Sequence, residues 1–211
     1  MSLEKPTIKI AGAAVLAALS VIIQILPPLF LTPWFMRIDF VAIPWVLCWI
    51  FFGFDASILS LLISVPLVGF LGPFAGGWVG AIMKSVASVW MFVIPALFTW
   101  KTGGIKRFLE SRRLYVGVGV LAIVIRVIVT LLFNFYFAIP IFFGMTTADI
   151  IQMFSNPMFL SFFGHSLGLI GIGAFIAEVA FWNTVQGAID IYASLIIGII
   201  VLRRIPELTE K

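Results

Sequence analysis

Four ionisable residues stand where the sequence gives them no water: Lys84, Arg126, Glu178 and Asp190 each lie inside a long apolar run. A charge at mid-bilayer costs roughly 2.5–3.5 kcal/mol on insertion scales, so such side chains turn to an interior or a cavity and find partners there. Three amides, Asn134, Asn183 and Gln186, share this setting. Asn183, Gln186 and Asp190 follow one another at spacings of three and four, which puts them on one face of a helix. That stripe has two readings. It can hydrogen-bond across helices and hold a bundle together, or it can line a pocket for a small polar-aromatic ligand. Arg126 is expected to pair with Asp190 or Glu178 as a structural link.

Other patterns carry less chemistry. Residues 164–168 (GHSLG) match the G-x-S-x-G form of serine hydrolases, but that motif needs a strand-to-helix elbow and a separate histidine base. His165 is the sole histidine of the chain and sits beside Ser166, so no triad can be completed. The phosphate-binding pattern GxxxxGK[ST] is absent, and no cluster has metal-ligand spacing. The chain is therefore expected not to be an enzyme, with no metal and no cofactor. On the first apolar run, Ala13 with Ala17 and Ala14 with Ala18 form overlapping small-xxx-small pairs next to Gly12. Such a smooth face packs internally or docks a helix of another subunit. Aromatics gather on the opposite side at Phe30, Trp34, Phe35, Phe40, Trp78 and Phe142. They serve as an interfacial belt, or as a cap that stacks on a planar ligand.

The elements that must position these residues follow from composition. Of 211 residues, 63% are hydrophobic and 10% charged, with a mean hydropathy of +1.21. A soluble domain has roughly 45–50% apolar and about 25% charged residues, so most of this surface must face lipid. Only helices and closed barrels satisfy their backbone there. The runs are long and unbroken, so the reading is an all-α integral membrane protein. The expectation is a single domain, 1–211, of six transmembrane helices at about 9–26, 38–54, 56–71, 78–100, 114–137 and 172–202. Asp55 is expected to mark a tight turn, Pro66 to bend or interrupt the third span, and residues 72–77 (GPFAGG) to form a loop. Residues 144–168 should hold a loop with a short interfacial helix. No cleavable leader is expected, because the first run ends in Pro27-Pro28. Cys48 reads as a small buried side chain.

Orientation follows from the basic residues. Lys5 and Lys9, then Lys101, Lys106, Arg107, Arg112 and Arg113, then Arg203, Arg204 and Lys211 flank one side, whereas the other has Arg37 alone. Both termini are thus expected to be cytoplasmic, which an even number of spans allows. The net charge of +4 reflects this bias, and no nucleic-acid partner is expected.

Residues 36–44 (MRIDFVAIP) resemble the first-loop and second-helix segment of the substrate-binding S components of energy-coupling factor (ECF) vitamin transporters, most of all the riboflavin-specific members. The likeness continues at Gly53, Gly76, Gly77 and Gly80, in residues 126–140 (RVIVTLLFNFYFAIP) and in residues 181–187 (FWNTVQG). It implies a six-helix subunit of a prokaryotic cell membrane that captures a vitamin from outside. Such a subunit works with a transmembrane coupling subunit and two cytoplasmic ATPases. Asn134, Asn183 and Gln186 would contact the ligand beneath a lid formed by the first loop. Lys84, Asp39, Trp34 and Phe40 complete the substrate-binding set, and Ala13, Ala14, Ala17 and Ala18 would dock on the coupling subunit. The sequence departs from the riboflavin binders where Gln186 replaces their lysine, Lys84 their asparagine and Ala81 their glutamate. A third-helix Lys-Asn pair is replaced around Ser64-Val65. A lysine lost and another gained could conserve charge in a rearranged pocket or mark a different ligand. The alternatives are an S component for another small molecule and a self-sufficient ion-coupled transporter in which Glu178 and Asp190 serve the ion.

Overall fold

The computed structural model describes residues 5–71, 77–102 and 104–205. It is an all-α membrane protein in which five helices are long and apolar enough to cross a bilayer: Pro6–Ile25, Phe54–Leu71, Gly77–Lys101, Arg112–Phe143 and Gly171–Arg204. Their outer faces carry exposed apolar side chains such as Leu62, Phe70, Trp100, Ile128 and Ile200. A water-soluble monomer rarely tolerates so continuous an apolar exterior.

Helix α1 covers Lys5–Ile25. A two-stranded antiparallel hairpin follows, β1 (Phe30–Leu31) and β2 (Arg37–Ile38), with Phe30 opposite Ile38 and Leu31 opposite Arg37. Its turn places Phe35 at φ +69°, a conformation that costs a bulky side chain on the order of 1–3 kcal/mol. Thr32 holds the turn through its carbonyl to Phe35 N (2.9 Å) and its hydroxyl to Met36 N (2.8 Å).

The second expected span, 38–54, is corrected here. Its first residues belong to the hairpin and the segment after it, and the helix α2 runs only over Ile43–Phe52, 10 residues. At 1.5 Å per residue that is about 15 Å, half of a hydrocarbon core. Gly53, at φ +92°, turns the chain directly into α3 (Phe54–Leu71), so the turn lies at Gly53 and not at Asp55. Every residue of α2 from Ile43 to Ile50 is buried. Serines bind it to α3: Trp45 Nε1 donates to Ser64 Oγ (2.8 Å) and Ser57 Oγ donates to Trp45 O (2.6 Å). Helix α3 passes through Pro66 without interruption.

Helices α4 (Gly77–Ser88) and α5 (Trp90–Thr102) together make the next crossing, and α6 (Ile105–Glu110) lies in the basic stretch. The expected loop at 72–77 falls, for residues 72–76, outside the described residues. Helix α7 (Arg112–Phe133) continues through a π turn, Asn134–Ala138, into α8 (Ile139–Phe143). Pro140 supplies the reason: it lacks an N–H, its ring crowds the preceding turn, and a wider turn relieves both. Three short pieces fill the following segment: α9 (Thr147–Met153), a 3₁₀ turn (Pro157–Phe159) and α10 (Phe162–Leu167). Helix α11 (Gly171–Ala188) runs through a second π turn, Ile189–Ala193, into α12 (Ser194–Arg204), one unbroken rod.

The interior has two main apolar centres. One surrounds α2, with Trp45, Trp49, Met91, Phe92, Phe108 and Tyr115. The other lies under the hairpin, with Trp34, Phe154, Phe175, Val179 and Trp182. A chamber bordered by polar side chains involves both the hairpin and the long helices.

Candidate functional site

The chamber has a volume of about 170 Å³. Of the expected ligand contacts, Asn134, Asn183, Gln186, Lys84, Trp34 and Asp39 line it. Phe40 does not line it; the residue is 42% exposed outside the chamber. Asp39 is buried, whereas Phe40 sits in the bend between β2 and α2, its carbonyl accepting from Ile43 N (3.1 Å), with its side chain largely outside.

The two π turns sit where polar residues meet the chamber or its border, Asn134 opening the first and Asp190 lying in the second. Such turns recur at functional sites. The face predicted from spacing is present: Asn183, Gln186 and Asp190 are all buried and joined to one another's partners. Arg126 Nη1 donates to Asp190 Oδ2 (2.8 Å) and to Ser88 Oγ (3.3 Å), and its Nε donates to Asn183 Oδ1 (3.3 Å). Asp190, and not Glu178, is therefore the partner of Arg126.

Gln186 spends its whole amide on the protein. Its Nε2 donates to Asp39 O and to Asp190 Oδ1, both at 2.7 Å, while its Oε1 accepts from Asp39 N at 2.9 Å. Asn183 Nδ2 donates to Val179 O (2.9 Å), and Asn134 Nδ2 donates to Thr130 O (2.8 Å). Lys84 Nζ donates to Asp39 Oδ2 and to Gln24 Oε1, the latter at 3.1 Å. Two further chamber residues, Gln24 and Arg37, escaped sequence reasoning. Arg37 was visible in the sequence as the single basic residue of the first loop, but nothing local marks it as inward-facing.

Glu178 has a separate setting. Its Oε1 accepts from Ser161 N (2.6 Å), Ser161 Oγ (2.8 Å) and Gly164 N (3.0 Å). Its Oε2 accepts from Trp182 Nε1 (3.1 Å) and Trp34 Nε1 (3.5 Å). This fully buried carboxylate thus joins the hairpin, α10 and α11. Phe30 stacks on Trp182 with ring centroids 4.5 Å apart, a second tie between hairpin and α11. Ser166, of the hydrolase-like motif, donates to Phe163 O (2.7 Å) in the last turn of α10.

The alanine face divides. Ala13 and Ala17 are fully buried, Ala13 packing with Cys48 and Ala56 of the neighbouring helices. Neither can also meet another subunit, which corrects that part of the expected docking set. Ala14 and Ala18, a third of a turn away, are exposed.

No protein-family model matches this chain, and no curated protein or solved structure matches it either.

Proposed function

We propose that this chain is the substrate-capturing S component of an ECF-type vitamin uptake system, not an enzyme, with riboflavin or a related flavin as the first ligand to test. The observation that carries the reading is convergence. Asn134, Asn183, Gln186, Asp39, Lys84 and Trp34 come from four separate parts of the chain, yet they border one chamber. Small-molecule sites combine apolar walls with a few placed polar groups in this way. On this reading α2 and the chain before it fill the place of a sixth crossing, both termini are cytoplasmic, and the protein lies in a prokaryotic cell membrane. The hairpin acts as the lid. A coupling subunit, docked on the exposed Ala14 and Ala18, and two cytoplasmic ATPases supply the energy.

The chamber is about 170 Å³, close to the roughly 150 Å³ that accepts a single benzene ring. A three-ring flavin therefore requires the hairpin to move outward. An ion-coupled transporter finds less support, because Asp190 is committed to Arg126 and Gln186, and Glu178 to Ser161, Gly164 and two tryptophans.

The test is to purify the protein in mild detergent, record its visible spectrum and identify co-purified small molecules by mass spectrometry. Near-stoichiometric flavin is the expected result. Another bound vitamin would keep the transporter reading and remove flavin; a protein empty of ligand that refuses added vitamins would sink the reading.

A further inference from the structure

Charge around the chamber does not balance. Asp39 is a single carboxylate serving two cations: Lys84 Nζ donates to its Oδ2, and Arg37 Nε lies 3.7 Å from the same oxygen. Arg126 and Asp190 neutralise each other at 2.8 Å. Among the described residues that line the chamber, three cations, Arg37, Lys84 and Arg126, stand with one carboxylate, Asp39. Asp190, behind the wall, answers Arg126, which leaves Arg37 and Lys84 to share Asp39. Glu178 binds the lining residue Trp34 from behind the wall, but its oxygens accept only from the neutral donors of Ser161, Gly164, Trp182 and Trp34 and pair with none of these cations.

The excess is located at Arg37. Its Nη2 is anchored on carbonyls at the end of α1, Gln24 O (3.2 Å) and Leu26 O (2.9 Å). Its side chain is only 10% exposed, and its Nε is buried without a hydrogen-bond partner. An unmade hydrogen bond on a buried charged group costs more than on a neutral one. A guanidinium so placed matches an anionic oxygen, for which its planar donors are suited.

The geometry points to a ligand bearing an anionic oxygen group, a carboxylate or a phosphate, received between Arg37 and Lys84. This rests on the reading of the chamber as a capture site and narrows its substrate class. The ligand's anion pairs with the Arg37 guanidinium and Lys84 Nζ and offsets the second cation on Asp39, while its ring lies against Trp34 and the apolar wall.

Two probe pairs share a ring and differ in charge: nicotinate against nicotinamide, and riboflavin 5′-phosphate against riboflavin. Calorimetric titration of the full chain in detergent, with thiamin as a cationic probe, reads the preference directly. An anionic member is expected to bind at least tenfold tighter than its neutral counterpart. Arg37→Gln and Lys84→Gln should each shrink that ratio. Asp39→Asn should raise affinity for the anion, since it leaves both cations unopposed, and a misfolded variant cannot mimic a gain. A neutral probe that binds as well as its anion, or thiamin binding in place of both, overturns the inference while the capture reading stands. If no probe binds, the compound co-purifying with the protein decides: an anion supports the inference and a neutral or cationic compound overturns it. No probe binding and no co-purified compound overturns the inference and the capture reading together.

Discussion

Gln186 and Asp39, 147 positions apart, hold each other by two hydrogen bonds, Asp39 N to Gln186 Oε1 at 2.9 Å and Gln186 Nε2 to Asp39 O at 2.7 Å. A side-chain amide thereby imitates a strand partner for the backbone just ahead of α2. It also fixes the carboxylate that Lys84 and Arg37 share. Gln186→Ala leaves both backbone groups of Asp39 buried and unsatisfied. At about 1–3 kcal/mol for each such group, the variant should lose about 2–6 kcal/mol. Thermal unfolding in detergent checks this; an unchanged midpoint would mean that water replaces the amide.

Glu178 should be as sensitive to neutral substitution. Glu178→Gln keeps one acceptor oxygen but turns an NH₂ group toward N–H donors, so at least one of Trp34, Trp182, Ser161 or Gly164 loses its bond. The expected cost is about 1–3 kcal/mol, with faster proteolysis between residues 144 and 168. Gly164→Ala should act in the same direction, because a methyl there would run into Glu178 Oε1. Resistance to protease equal to the parent's in both variants would remove the latch role.

The two alanine pairs predict opposite failures. Ala13→Trp overfills a site with no exposure, which typically costs 1–3 kcal/mol or more, and should reduce folded yield. Ala14→Trp lies on an exposed face and should fold normally while preventing co-purification of a coupling subunit. Retained co-purification would refute the docking face; size-exclusion profiles separate misfolding from lost assembly.

Asn183 lines the chamber and its loss should be felt by a ligand. Asn183→Ala removes an acceptor from Arg126 and a polar group from the chamber wall. Binding should weaken about tenfold, or about 1.4 kcal/mol. An unaltered dissociation constant would show that the ligand sits elsewhere.

Much of this was legible in the chain itself. Long apolar runs dictate helices because lipid offers the backbone no partners. A period of 3.6 places Asn183, Gln186 and Asp190 on one face wherever that helix goes. The ionisable residues Lys84, Arg126 and Asp190 had to be internal on cost alone, and so they are. What periodicity cannot state is which way a face turns. Both alanine pairs of α1 satisfy the same spacing, and only the packing of Cys48 and Ala56 against Ala13 selects the inward one. Residues 38–42 are as apolar as a helix start requires. They are drawn from it by the strand pairing of Phe30 with Ile38 and by the hold of Gln186 on Asp39. The roles of Arg37 and Glu178 were equally hidden. Glu178 meets Trp34 144 positions away, a contact with no local signature in the sequence. Arg37 turns inward because the hairpin folds it back onto the carbonyls of Gln24 and Leu26 at the end of α1.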